Sequence, residues 1–188
     1  HPMWRKKQSI TIKEMDAIIA EMNIRILQLR RMLNGVEFVP QATMPTFDAE
    51  EYGDNPERIA SMVRGHWMIP RGPLQNLTEM VERAGAIVIH SPMAVPGLLP
   101  IILLNSEQPS DRARFTLAHE LAHLVMHRFP NPSMEQQANT FASALLMPAD
   151  DIRSAFMSGR IDLMRLAALK PEWKVSMQAL LYRAQSLG

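Results

Sequence analysis

Apolar positions recur along the chain at two spacings, which divide it into helices around one short sheet. Ile18, Met22, Ile26, Leu29 and Leu33 fall three or four residues apart and predict a helix over residues 11–34. Thr11 with Glu14 three residues on reads as its start, and Asn34-Gly35 as its stop. Residues 36–54 have no period. Pro40, Pro45 and Gly53, among Glu37, Asp48, Glu50, Glu51 and Asp54, predict a loop or linker. Asn55-Pro56 opens a helix over 55–67. After the turn Pro70-Arg71-Gly72-Pro73, Leu74, Leu77, Met80 and Val81 form one stripe that ends at Gly85. Residues 86–90 and 101–104 are short apolar runs separated by Pro92, Pro96, Gly97 and Pro100, the pattern of two strands. From Ser110 onward the spacing predicts helices at 110–127, 133–147, 149–158, 160–169 and 174–186. A strand pair among helices predicts an α+β fold. The expected domains are an N-terminal basic helix and linker, residues 1–54, and a main domain, residues 55–188.

With 188 residues, 47% of them hydrophobic and 21% charged, the chain can bury a core. It holds no apolar run long enough for a membrane-spanning helix. The net charge of +1 argues against bulk attraction to nucleic acid as the main activity. The basic residues of the first helix (Lys13, Arg25, Arg30, Arg31) read as a solvated face, with a DNA or partner surface as the alternative. Cys is absent, so disulfides, thiolate metal sites and Cys nucleophiles are all excluded. His1-Pro2 ahead of Met3 does not read as a natural start and is set aside. The basic Trp4-Arg5-Lys6-Lys7 is followed by no apolar signal core, so a cytoplasmic location is expected.

The chemistry lies in His119-Glu120-Leu121-Ala122-His123. Residues four apart lie one helical turn apart on one face, so both imidazoles can reach a single ion. Glu120 is rotated about 100° from His119, beside the attacking water rather than on the metal, where a general base belongs. With 6 His and 12 Glu in the chain, chance supplies roughly 0.01 such matches, so the motif alone is modest support. Its context adds more: three polar side chains at the centre of an apolar helix are costly without partners, and a metal satisfies them together. The alternative is a histidine pair bonded to backbone or carboxylate groups with no ion. His127 continues the stripe, but a straight helix puts it about 12 Å from His119 along the axis, too far to share an ion. Glu135, in the first turn of the next helix, can face back toward His123 and is the better third ligand; the competing reading is a partner for the helix dipole. Asn139, four residues on, can accept the second N–H of a ligand histidine, or is an ordinary polar helix position.

Two blocks carry a resemblance. One runs from Arg114 through His119-Glu120-Leu121-Ala122-His123 to His127; the other is Glu135-Gln136-Gln137-Ala138-Asn139-Thr140-Phe141-Ala142 with Leu145-Leu146-Met147-Pro148. In that order they resemble the ImmA/IrrE family of zinc metallo-endopeptidases. The resemblance implies a zincin-like, mostly helical domain with a small β-sheet packed on the HExxH helix, preceded by an N-terminal helical segment. It implies one Zn2+ per chain held by His119, His123 and Glu135, Glu120 as catalytic glutamate, and Asn139 as the polar position after the third ligand. It further implies a protein substrate, an Xre-type helix-turn-helix repressor in a phage, mobile-element or stress-response circuit. Direct DNA binding is not expected unless a further N-terminal domain supplies it. The chain is expected to be a stand-alone peptidase or a shortened form. Two departures stand out: Ala122 replaces a common Gly, and Gln137 stands where many members carry a second Glu. The rival reading is a metal-binding sensor or sequestration module that turns over nothing. His90, His127, Tyr182 and Arg183 remain open as oxyanion donors, and residues 101–104 as an edge strand for an extended substrate.

Overall fold

The computed structural model describes residues 41–91, 101–105, 108–157 and 159–188, together with residues 16, 20, 23, 24, 27, 28 and 31. The chain divides into two compact units, His1–Val39 and Pro40–Gly188. In the first, the described residues are all helical. The rest of the helix predicted over 11–34 lies outside the described residues.

The second unit contains, among its described residues, seven α-helices and two strands. They run α1 (Pro56–His66), α2 (Leu77–Arg83), β1 (Ile87–Ser91), β2 (Ile101–Asn105), α3 (Ser110–Met126), α4 (Met134–Leu146), α5 (Ala149–Met157), α6 (Leu163–Trp173) and α7 (Met177–Leu187). Residues 41–54 belong to this unit, so the division falls after residue 39 rather than at 54. The cause is burial that no period announces. Ala42, Met44, Phe47, Ala49 and Tyr52 lie against the core. The Phe47 amide donates to the Val125 carbonyl (2.8 Å) and the Ala42 amide to the Arg83 carbonyl (3.0 Å).

The core forms where α4 packs on both α3 and α1. Leu117, Ala118, Leu121, Ala122 and Val125 of α3 are buried with Ala138, Phe141, Ala142 and Leu145 of α4 and with Ile59, Ala60 and Val63 of α1. Alanines on the facing stripes shorten the distance at which two helices can pack. Ala122, at the position where the family commonly has Gly, is one of them. β1 and β2 pair in parallel, from Ile87 opposite Ile101 to Ser91 opposite Asn105. Short apolar runs carry no direction, so the sequence left this orientation open. Ile102 and Leu104, two apart on one face of β2, are buried in the common core.

Two guanidinium groups are buried as well. Arg64 donates to the carbonyls of Leu145 (2.8 Å), Pro70 (2.5 Å) and Gly72 (2.9 Å). It thus ties α1 to the end of α4 and to the turn at 70–73. Gly72 has φ +86° and donates its amide to Asp151 Oδ2 at 2.7 Å. A side chain there would be strained, since only glycine adopts that backbone freely. Arg183 of α7 donates to the Met147 carbonyl (2.9 Å) and to both Glu57 oxygens (2.6 and 3.3 Å). Its side chain is 1% exposed and that of Glu57 39%. Glu57→Ala would leave a buried cation with one carbonyl. It is expected to cost about 3 kcal/mol, toward the low end for breaking a buried pair because water reaches the vacated side. Urea unfolding of the two proteins measures it, and a loss under about 1 kcal/mol, the scale of a surface pair, would refute the estimate.

Candidate metal centre

Two helix ends set the geometry. α3 begins at Ser110, where the spacing starts it, with Pro109 in the cap position. The helix ends at Met126. The His127 amide still donates to the His123 carbonyl (3.1 Å), but its backbone (φ −108°, ψ 85°) has left the helix. Pro130 follows closely and bars continuation. α4 then opens at Met134. Ser133, at its cap position, makes no side-chain cap bond; its hydroxyl donates to Asn131 Oδ1 at 2.9 Å.

The turn between the helices brings the first turn of α4 over the last two turns of α3. His119 and His123 stand with ring centres 4.8 Å apart and Nε2 atoms 3.1 Å apart. Glu135 Oε2 lies 3.3 Å from His119 Nε2, and Oε1 lies 3.6 Å from His123 Nε2. Among the described residues these three form a group able to hold a metal ion. Ligand atoms about 2.0–2.1 Å from a tetrahedral ion are roughly 3.3 Å from one another, which is the spacing found here.

The protons support the same conclusion. Asn139 Oδ1 lies 3.0 Å from His119 Nδ1. An amide oxygen can only accept, so this contact suits a His119 ring that carries a proton on Nδ1 and leaves Nε2 for a metal. With Nε2 unprotonated, a cation between it and Glu135 would offset the repulsion of lone pair and carboxylate; with Nε2 protonated, the two make an ion pair. The donor set, two imidazole nitrogens and one carboxylate, fits zinc. His123 is held below the ordinary imidazole value by burial, then by His119 and His127, with Glu135 opposing. That favours the neutral ring a metal requires. Glu120, half-buried on the same helix, is pushed above the usual carboxylate range by burial; His119 opposes this and Glu135 adds to it. The imidazoles are mostly covered (16% and 20% exposed), whereas the Glu135 side chain is 72% exposed. The group is therefore open to solvent on the α4 side.

The remaining sequence candidates separate clearly. His127 is outside the ligand group but lies against His123, Nδ1 to Nδ1 at 2.8 Å, and its Nε2 is 3.1 Å from Gln137 Oε1. Sequence reasoning missed this pair because it weighed His127 as a ligand and as an oxyanion donor, not as a partner of His123. The i+4 spacing from His123 was the available signal. Arg183 is spent on Glu57 in the core, and Tyr182 is exposed with its hydroxyl accepting from Gln178. Neither lies in the histidine group. The His90 side chain is outside the described residues.

A family model described as the IrrE N-terminal-like domain of peptidase family M78 matches residues 82–185, more than half of the chain. The match includes His119, Glu120, His123, Glu135 and Asn139. The chain belongs to this family. Among curated proteins, none matches it. The IrrE N-terminal-like domain here begins at the end of α2 and reaches into α7, and its mostly helical build agrees with a metallopeptidase domain. None of the described helices is long and apolar enough to cross a membrane.

Proposed function

We propose that this protein is a zinc-dependent endopeptidase in which His119, His123 and Glu135 hold one zinc ion and Glu120 is the general base. The observation that carries this reading is the triangle of two Nε2 atoms and a carboxylate, 3.1, 3.3 and 3.6 Å on its edges. Zinc bound there supplies Lewis acidity toward a peptide carbonyl and makes water a nucleophile near neutral pH. Glu120 takes the proton of the attacking water on its carboxylate and returns it to the leaving amine nitrogen. Asn139 keeps His119 in the tautomer whose Nε2 is free. The same reading puts the small sheet on the HExxH helix, with β2 as the edge whose backbone groups an extended substrate would pair with.

The proposed substrate, from the family resemblance, is an Xre-type helix-turn-helix repressor in the cytoplasm, within a phage, mobile-element or stress-response circuit. The test is a gel time course of zinc-loaded protein with the repressor encoded beside its gene. Cleavage that a chelator stops is the expected result. An intact repressor held in a stoichiometric complex would move the reading to a sequestration module or metal-binding sensor.

A further inference from the structure

Resting on the metal site proposed above, we propose that His127 and Gln137 form a relay that fixes His123 as its metal-binding tautomer. His127 is thus a positioning residue. The argument follows the protons. Gln137 Oε1 faces His127 Nε2 at 3.1 Å, and an amide oxygen accepts only. His127 therefore carries its proton on Nε2, which leaves Nδ1 as a lone pair. That lone pair faces His123 Nδ1 at 2.8 Å. Two ring nitrogens at that distance need one proton between them, and only His123 can supply it. His123 accordingly donates from Nδ1 and presents its Nε2 lone pair to His119 Nε2 and Glu135.

The backbone makes this possible. By leaving the helix at its C-cap, His127 is positioned by the turn into α4 as well as by α3. The ring pair is tilted by 48° with centres 4.9 Å apart, so contact is through the nitrogens rather than by stacking. Gln137 comes from the second helix, as Asn139 does for His119. Each ligand histidine is thus oriented from α4, one directly by an amide and the other through an intervening imidazole. Metal-binding histidines usually donate to a carboxylate, carbonyl or water; here a second imidazole does that work. A glutamine suits position 137, because an amide oxygen holds the relay in one direction without adding charge.

Three full-length variants test this. His127→Asn keeps an oxygen near the position of Nδ1, His127→Leu fills the space with no acceptor, and Gln137→Leu removes the acceptor behind the relay. Two readouts are used. One is zinc affinity by competition with a chromophoric chelator, with circular dichroism to verify the fold. The other is the long-range 1H–15N imidazole spectrum of the metal-free protein, which reports directly which nitrogen of His123 is protonated. His127→Leu is expected to weaken zinc binding 10- to 100-fold, the range for residues behind the ligands, and to let His123 populate its Nε2–H form. His127→Asn should stay close to wild type in both. Should His127→Leu fail to fold, Gln137→Leu carries the test with the same signs. Wild-type affinity and an unchanged His123 tautomer in folded His127→Leu or Gln137→Leu would overturn the relay, as would an Asn variant as weak as the Leu variant. A wild type that takes up no zinc yet shows the Nδ1–H tautomer would overturn the metal reading and leave the relay standing.

Discussion

Glu120→Gln is expected to retain zinc and fold while repressor cleavage falls at least 10²–10⁴-fold, the usual contribution of a positioned acid–base group. The side chain keeps its size and its ability to hydrogen-bond but loses the base. Glu120 lies outside the group His119, His123 and Glu135, so metal content should not change. Its burial raises the carboxyl above the usual range, making it a stronger base than a carboxylate in water. Glutamine has no equivalent at any accessible pH. The measurement is a cleavage time course with zinc content determined on the same samples. Cleavage at the wild-type rate would remove Glu120 from the role of base, and parallel loss of zinc would make it a ligand instead.

Glu135→Ala is expected to weaken zinc binding by more than the roughly 100-fold ceiling for residues behind the ligands. Two imidazoles cannot complete a site that needs three protein donors. The exposure of this side chain makes the experiment clean, because its removal opens no hole in the core. Zinc titration should therefore fall with little change in thermal unfolding of the metal-free protein. The order of loss is informative: Glu135→Ala should exceed His127→Leu. Equal loss in two folded variants would mean that the site is built differently.

The candidate group was readable from the sequence because each part rests on local geometry. His119 and His123 follow from helical spacing, Glu135 from the Pro-containing turn that starts α4, and Asn139 from one further turn. Most of the helices were readable for the same reason. What escaped depends on contacts between distant positions. Arg64 reaches Leu145 across 81 residues and Arg183 reaches Glu57 across 126, and nothing near either arginine announces that it is buried. Residues 41–54 carry the polar and proline signs of a linker, yet their few apolar side chains find the core. Cap chemistry was less readable: Pro109 holds the cap position of α3, and Ser133 holds that of α4 without a side-chain cap bond. His127 was set aside on reach to His119, and its contact with His123 was overlooked.

The unit that packs begins near residue 40, whereas the family match begins at residue 82. The difference contains α1, whose Ile59, Ala60 and Val63 are wholly buried and whose Arg64 caps the Leu145 carbonyl. A gene fragment cut at the match would strip that helix from α4, the same helix that carries Glu135, Gln137 and Asn139. A junction placed upstream of residue 40 keeps α1 and the packed residues 41–54 with the rest of this unit. The sequence signature is therefore shorter than the portable piece.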